Sequence, residues 1–395
     1  MAARPVIIDI TRLASHTRRK GPSGVDRVEL AYADAVLSSG RCAGAIVAER
    51  IGARWLDADA AGRLLRQTHN FWREAPEASP AEGGGISPLA LLRQRSAFAR
   101  RLARAGSLSS AVYLRASHDK LEKLSWLRRW PNLAKLFFIH DILPVQWPEY
   151  FVAGEADRHQ RRLALAARFA DALLVSSAAA AHDLAQSGLT TGRPLHILPL
   201  GIEPIFAQAP IALTTAPDTG GAPYFVMCST LEPRKNHLLI LNLWRALAQS
   251  GTAPKLVIVG RRGWENEAIV DMLERCAALR PHVTEMTDMT TPALANLLRG
   301  ARALLAPSFA EGFGIPVLEA LAVGTPVIAS DIPPHREIAG GMARFLDPLD
   351  GPAWRAAVLE AARAQPQRIA GFEPPRWPGH IARLFDIIDA LPQRG

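Results

Sequence analysis

The chain has 395 residues, of which 49% are hydrophobic and 21% are charged. That composition supports buried cores in two or three domains and excludes a wholly disordered protein. Every run of about 18 apolar residues is interrupted by a charge, so no membrane-spanning helix is expected. An Asp interrupts the first apolar stretch, which argues against a signal peptide. The three cysteines are far apart, which argues against a disulfide framework or zinc site and is typical of a reducing compartment.

The net charge of +9 is concentrated in the first half of the chain. Residues 1–206 contain 28 basic and 19 acidic residues, whereas residues 207–395 contain 18 of each. Residues 83–118 include six Arg and no acidic residue. This asymmetry indicates a polyanionic partner for the first half, such as a nucleic acid, an anionic membrane or a phosphorylated substrate. An ordinary arginine-rich surface is the alternative.

Short apolar segments alternate with helical patterns along the chain, which is typical of parallel strands covered by helices on both faces. In the first half, strands are predicted at residues 6–10, 44–48, 110–114, 134–139, 171–176 and 196–200. In the second half, they are predicted at residues 224–228, 255–259, 283–286, 303–307, 326–330 and 343–346. The sequence therefore predicts an α/β protein with two doubly wound domains, residues 1–206 and 223–375, joined by a linker at 207–222. Residues 62–108 fit the pattern poorly and are interpreted as an insertion or a mobile segment. Residues 376–395 contain an amphipathic helix.

In such sheets, ligands bind beyond the carboxyl ends of the strands. Arg234 and Lys235 follow one predicted strand and precede a helix, where two cations and free N–H groups suit a diphosphate. The segment SFAEGFGIPVLE follows another, with Glu311 and Glu319 on either side of a glycine turn. Its glycines permit close backbone approach, and its carboxylates can accept hydrogen bonds from sugar or ribose hydroxyls.

Three loops of the first half are further candidates. His140 and His118 each follow a predicted strand, where an imidazole can contact a substrate or transfer a proton. Residues 21–28 form a glycine-containing strand–helix loop that could admit a phosphate or a sugar. Each of these features is also compatible with a purely structural role.

The segments STLEPRKNH, PSFAEGFGIPVLEALAVGTPVIASD and FIHDILPVQWPEYF resemble the GT-B retaining glycosyltransferases of family 4 (group 1). The resemblance covers nearly the whole chain. GPSGVDRVELAYA, YLRASHDKLE and HDILPVQWPEYF are similar to the bacterial mannosyltransferase-like subgroup of polysaccharide assembly. The fold it implies is GT-B, in which an N-terminal acceptor domain faces a C-terminal nucleotide-sugar domain across a cleft and a terminal helix packs back across the domains.

The resemblance also implies roles for individual residues. Many members have Gly-Arg where this chain has Ser229-Thr230, so the second phosphate cation is expected to be Arg234. The expected catalytic group comprises His140, Glu311, Lys235 and Arg234. The expected donor-binding residues are Gly24, Ser229, Thr230, Gly312, Phe313, Gly314, Ile315 and Glu319, and the expected acceptor-binding residues are His118, Asp141 and Arg115.

The function expected from this resemblance is transfer of a hexose, first mannose from GDP-mannose, from a nucleotide sugar to a saccharide acceptor. No cofactor and no metal are expected, because the chain lacks a DxD motif and fixed cations can stabilise the leaving diphosphate. A lipid-diphosphate-linked acceptor at the inner face of the cytoplasmic membrane would explain the basic first half, and WLRRW (126–130) and the basic residues 89–105 suit an anionic bilayer surface. A GT-B sugar-nucleotide epimerase, a non-catalytic sugar-binding protein and a nucleic-acid-binding protein are the alternatives, although no nucleic-acid-binding signature is present.

Overall fold

The structure is a computed structural model that describes residues 3–16, 22–48, 53–73, 110–118, 121, 127–128, 130–190, 192–208 and 221–393. Parts of three features singled out in the sequence lie outside these residues: most of the arginine-rich stretch 83–118 with the basic segment 89–105, Trp126 and Arg129, and most of the linker 207–222.

The N-terminal domain is built on a seven-stranded sheet with the order β3-β2-β1-β4-β5-β6-β7. Only β3 is antiparallel to its neighbour. The strands are β1 (Val6–Asp9), β2 (Cys42–Ala48), β3 (Ala53–Leu56), β4 (Val112–Arg115), β5 (Ala134–Phe138), β6 (Ala172–Val175) and β7 (Leu195–Ile197). The helices are α1 (Thr11–His16), α2 (Gly24–Ser38), α3 (Ala58–Arg73), α4 (Leu143–Gln146), α5 (Glu155–Phe169), α6 (Ala178–Gln186) and α7 (Pro204–Ala207).

The C-terminal domain contains a six-stranded, fully parallel sheet with the order β10-β9-β8-β11-β12-β13. The strands are β8 (Tyr224–Cys228), β9 (Lys255–Val259), β10 (Val283–Met286), β11 (Ala303–Ala306), β12 (Val327–Ser330) and β13 (Arg344–Leu346). The helices are α8 (His237–Gln249), α9 (Glu267–Arg275), α10 (Thr291–Gly300), α11 (Ile315–Ala322), α12 (Pro333–Ala339), α13 (Gly351–Arg363) and α14 (Trp377–Ala390).

All twelve strands predicted from the sequence are present, and the central ones are apolar and buried on both faces. The predicted α/β class with two doubly wound sheets is confirmed. Residues 62–73, which the sequence analysis interprets as part of an insertion or a mobile segment, belong to α3, which packs on α1, α2 and β2. Within the described residues, no helix has both the length and the hydropathy needed to cross a membrane.

The C-terminal helix α14 belongs to the second half of the chain but packs on the first domain. The Asp389 carboxylate accepts hydrogen bonds from the Arg4 backbone and from the Arg41 guanidinium, the latter at 2.9 Å. The His380 imidazole contacts the Tyr32 hydroxyl at 2.8 Å. The chain therefore returns to its starting domain, which fixes one end of the interdomain cleft.

Candidate active site

The loop after β8 brings two cations to one carboxylate. Pro233–Lys235 form a 3₁₀ turn, and Asn236 adopts a left-handed conformation (φ 57°) that starts α8 at His237. The Lys235 ammonium lies 2.5 Å from Glu311 Oε1, and the Arg234 guanidinium lies 3.1 Å from Glu311 Oε2. Both cations therefore face the glycine turn after β11.

The electrostatics of this cluster favour an ionised Glu311. Burial alone would raise the pKa of Glu311, but Lys235 and Arg234 outweigh burial and hold this pKa well below its usual range. Burial and the neighbouring Arg234 lower the pKa of Lys235, and Glu311 opposes that shift. The Ser308 hydroxyl donates a further hydrogen bond to Glu311 at 2.8 Å. The three charged groups are therefore preorganised before any substrate arrives.

The glycine turn touches the opposite domain. A Cβ on Gly312 would lie 2.8 Å from the His140 carbonyl oxygen and 2.9 Å from Asp141 Cβ, so only glycine permits this approach. Gly314 has φ +106° and precedes α11, which begins at Ile315. Phe313 is buried between them. The turn thus brings Glu311 to the wall of the cleft that carries His140.

Glu319 lies one turn into α11 and is almost fully buried, with 3% of its surface exposed. Its carboxylate forms an ion pair with Arg27 of α2, on the opposite side of the cleft. A Cβ on Gly24 would lie 2.6 Å from Ile315 Cδ1, so the first turns of α2 and α11 are in contact. The predicted ribose-binding residue is therefore bound by a residue that the sequence analysis did not select.

His140 is buried at the end of β5, and its Nε2 lies 2.7 Å from the Ala116 carbonyl oxygen. Because a carbonyl oxygen only accepts, Nε2 carries the proton and Nδ1 is the ring atom that can accept. His118 packs edge-on against His140 and His159, at centroid distances of 5.5 and 4.9 Å. The predicted residues His140 and His118 are therefore neighbours.

Asp141 follows His140 and accepts a hydrogen bond from the Leu143 backbone at 3.1 Å. Ser229 and Thr230 cross directly over Gly260 and Gly263 of the second domain: a Cβ on Gly260 would lie 1.8 Å from the Ser229 carbonyl oxygen. Both segments are therefore held by their own domains at the edge of the cleft.

The prediction that Arg115 binds an acceptor is wrong. Arg115 is completely buried at the end of β4, where it forms an ion pair with Asp9 and donates to the Ser117 carbonyl oxygen. The Tyr113 hydroxyl also donates to Asp9, at 2.5 Å. A buried charge requires such partners, so Arg115 supports the domain interior and does not reach the cleft.

Two further residues of the site were missed. His335 of α12 lies beside Gly314, and its Nδ1 is 3.0 Å from the Ser330 carbonyl oxygen. His335 lies in the helix that follows β12, within the segment GTPVIASDIPPHREI. This position after a strand is the signal that could have identified it. Arg27 carries no comparable signal, because its partner Glu319 lies 292 residues further along the chain.

Part of the site encloses a small cavity of about 10 Å³, whose lining includes Cys228, Ser229, Ser308, Glu311 and His335. Typical ligand pockets measure about 300–1,000 Å³. The described residues contain no group of three or more His, Cys, Asp or Glu side chains arranged to hold a metal ion. The site can therefore supply fixed cations, backbone donors and carboxylates to a ligand.

Comparison with known proteins identifies the second domain. Residues 217–343 match the family described as glycosyl transferases group 1, and this segment holds Arg234, Lys235, Glu311 and Glu319. Over these residues the chain is similar to this family. Three curated relatives are bacterial mannosyltransferases, which supports the predicted subgroup.

The serotype-specific mannosyltransferase WbdA of Escherichia coli is 33% identical over 221 residues, which are 51% of this chain and 26% of that protein. The O-antigen chain mannosyltransferase B of Escherichia coli is 32% identical over 35% of this chain and 36% of that protein. The O-antigen chain mannosyltransferase RfbU of Salmonella typhimurium is 33% identical over 34% of this chain and 37% of that protein. The chain thus matches between about a quarter and two fifths of the length of these relatives.

Solved structures match almost the entire chain. The crystal structure of Anabaena HepE in complex with UDP and glucose has a TM-score of 0.64 at 17% identity and covers 98% of this chain and 100% of HepE. The sucrose-phosphate synthase of Thermosynechococcus elongatus has a TM-score of 0.60 at 15% identity and covers 97% of this chain and 98% of the synthase. This similarity confirms the predicted GT-B fold.

Proposed function

We propose that this protein is a retaining, metal-independent hexosyltransferase that moves mannose from GDP-mannose to a saccharide acceptor. The cluster of Arg234, Lys235 and Glu311 carries the proposal, because it lies against the His140 loop of the opposite domain. Transfer of a sugar from a nucleotide sugar builds up negative charge on the departing diphosphate. Two preorganised cations at the start of α8 are suited to stabilise that charge without a metal.

Each residue has a role in this proposal. Lys235 and Arg234 neutralise the diphosphate, and the Gly312–Gly314 turn donates backbone hydrogen bonds to the donor sugar. Glu311 contacts the sugar on its reacting face, and His140 holds the sugar from the other domain. Glu319 binds the ribose hydroxyls. Retention without a covalent nucleophile follows the resemblance and agrees with the pairing of Glu311 with two cations.

The sugar and the acceptor are assigned by similarity. The WbdA, mannosyltransferase B and RfbU relatives support mannose as the transferred sugar and a polysaccharide as the product. The basic first half supports an acceptor that carries phosphate, proposed to be a lipid-linked saccharide at the inner face of the cytoplasmic membrane.

Calorimetry and thermal shift with GDP-, UDP-, ADP- and dTDP-sugars, without added metal, test the donor. We expect GDP-mannose to bind selectively and to lose that binding in Glu319→Ala. Selective binding of a UDP-sugar would overturn GDP-mannose as donor and leave the site assignment intact. No binding to any nucleotide sugar would count against the donor site itself.

Product analysis tests the reaction. Incubation with the selected donor and a lipid-linked oligosaccharide should give a product one hexose longer, whose anomeric configuration matches that of the donor. Conversion of the donor to an epimer with no acceptor dependence would instead identify a sugar-nucleotide epimerase. Co-sedimentation with anionic vesicles at low salt should show binding, and no binding there would contradict peripheral membrane attachment.

A further inference from the structure

Arg27 links the glycine loop of the first domain to the candidate ribose site of the second. It lies in the first turn of α2, where Ser23 and Asp26 form a capping box that fixes the start of the helix. Gly24 of the same turn contacts Ile315 at the start of α11. This helix-to-helix contact places the Arg27 guanidinium against Glu319, one turn further along α11.

Arg27 donates a hydrogen bond to one of the two carboxylate oxygens of Glu319. Arg27 Nη1 donates to Glu319 Oε1, and Arg27 Nε lies 3.2 Å from Glu203 Oε1. The side chains of Arg27 and Glu319 are 14% and 4% exposed. Among the residues that the structure describes, none donates a hydrogen bond to the second oxygen of Glu319, Oε2. One oxygen is thus held from the opposite domain and the other is available to a ligand.

The ion pair between Arg27 and Glu319 compensates for the burial of the Glu319 carboxylate when the cleft closes. Burial raises the pKa of Glu319 to about 7, and Arg27 opposes that rise. When the domains meet, Glu319 loses water, and a buried carboxylate without a counter-charge is strongly disfavoured. Arg27 reaches Glu319 through the same interdomain contact, so it replaces the lost water with a charge-assisted hydrogen bond.

We propose that Arg27 is a positioning residue for the donor, which holds the Glu319 carboxylate through Oε1 and leaves Oε2 to accept a hydrogen bond from a ribose hydroxyl. This inference rests on the proposed function, in which Glu319 binds the ribose. Because Arg27 and Glu319 belong to different domains, the ribose site is complete only in the closed cleft. Nucleotide binding and domain closure are then coupled through this pair.

The test measures the Kd of GDP and of UDP by calorimetry at neutral pH in four variants: Arg27→Gln, Arg27→Lys, Glu319→Gln and the double variant. For the nucleotide that the wild-type protein binds, Arg27→Gln should weaken binding by about tenfold or more. Arg27→Lys should lose less binding than Arg27→Gln, because the ammonium retains the charge although it cannot reproduce both guanidinium contacts. A merely steric role of Arg27 would give no such rescue by charge.

The double variant shows whether Arg27 acts through Glu319. If it does, the double variant should bind no more weakly than Glu319→Gln alone, whereas independent contacts with the nucleotide would make the two losses multiply. Arg41→Gln is the matched control, since Arg41 also joins the first domain to the second half of the chain but pairs with Asp389 on α14. Its Kd should equal that of the wild type.

The outcomes separate this inference from the proposed function. Unchanged or tighter binding in Arg27→Gln would overturn the inference, as tighter binding would show that Arg27 competes with the nucleotide. Multiplying losses would also overturn it. If Glu319→Gln itself binds as well as wild type, the ribose role of Glu319 in the proposed function fails instead. Thermal unfolding of each variant identifies any loss of folded protein before Kd values are compared.

Discussion

At the scale of single residues, Lys235 is the side chain on which the proposed chemistry depends most. Its ammonium is buried and bound to Glu311, so it is fixed where a diphosphate would leave. We expect Lys235→Ala to lower kcat by about 100-fold, which is typical of removing one preorganised charge-stabilising group. Lys255→Ala is the control, because Lys255 lies at the start of β9, at the opposite end of the strand from the site, and donates to the Pro281 carbonyl oxygen. Near-normal turnover by a folded Lys235→Ala protein would refute the assigned role.

Glu29 of α2 makes a second residue-scale prediction, on stability. It is completely buried beside Asp9, and one oxygen accepts from the Leu13 backbone at 2.9 Å. Burial, reinforced by Asp9, raises the pKa of Glu29 to about 7. The folded protein therefore binds this proton more tightly than the unfolded chain, so between about pH 4.5 and 7 Glu29 lowers the free energy of unfolding as pH rises.

Glu29→Gln should remove that contribution. The Tm of the variant should fall less than that of the wild type between pH 5 and pH 8, as followed by calorimetric melting. Glu373→Gln, which changes an exposed glutamate, should keep the wild-type dependence. Parallel pH profiles for wild type and Glu29→Gln would contradict the assignment.

Some residues of the candidate site could be predicted from the sequence and others could not. His140, Glu311 and Lys235 follow strands and lie in the cleft, because a loop after a parallel strand reaches the carboxyl edge of the sheet. Arg115 also lies at a strand end, but its side chain points into the domain interior, and position after a strand does not specify which way a side chain points. Arg27 depends on a contact between domains, which no local pattern encodes.

At the scale of elements, three aromatic rings bridge the cleft. Tyr150, which ends a 3₁₀ turn in the first domain, stacks on Phe309 of the second at a centroid distance of 5.5 Å and an interplanar angle of 5°. Trp147 also stacks on Tyr150, at a centroid distance of 6.3 Å. The Trp264 indole donates to the Tyr150 carbonyl oxygen at 2.9 Å. This stack is a closing contact between the domains.

Tyr150→Ala should shift the protein toward an open cleft. One aromatic pair contributes about 0.5–1.5 kcal/mol, which changes an open-to-closed ratio by roughly twofold to twelvefold. Small-angle scattering should therefore report a larger radius of gyration for this variant. Trp147→Ala is the matched control, because the stacking partner of Trp147 among the described residues, Tyr150, belongs to its own domain. Equal radii for Tyr150→Ala and wild type would show that the stack does not hold the cleft.

The sequence predicted the strands and helices that are recognisable from a local pattern of residues. Buried parallel strands form continuous apolar runs, and all twelve predicted strands are present. The strand β3 was missed because it is a half-exposed, antiparallel edge strand of four residues with Arg54 at its centre. The sequence analysis did not identify residues 62–73 as part of a helix of the first domain. Their burial against α1 and β2 is a tertiary contact, which a local pattern does not reveal.

At the scale of the whole molecule, the two domains touch on both sides of the candidate site. One contact joins Arg27 to Glu319, and another joins α6 to α12: the Glu337 carboxylate accepts hydrogen bonds from the Ala178 and Ala179 backbone at 2.7 and 3.1 Å. The second contact caps the positive end of α6 from the opposite domain. Since these contacts join the domains beside the candidate site, their opening is expected to control the entry of a nucleotide sugar.

Glu337→Ala should therefore change the kinetics of nucleotide binding more than its equilibrium. The Glu337 carboxylate bridges the domains at the protein surface and lies on α12, the helix that also carries His335. Its loss should ease opening, because Glu337 is not among the residues proposed to bind the nucleotide sugar. We expect stopped-flow measurements to show association and dissociation rates that both rise by about threefold to tenfold, with Kd nearly unchanged, if the bound state is also closed. Glu360→Ala is the control, since Glu360 pairs with Arg344 within one domain. A slower association rate in Glu337→Ala would mean that the closed form, not the open one, receives the nucleotide.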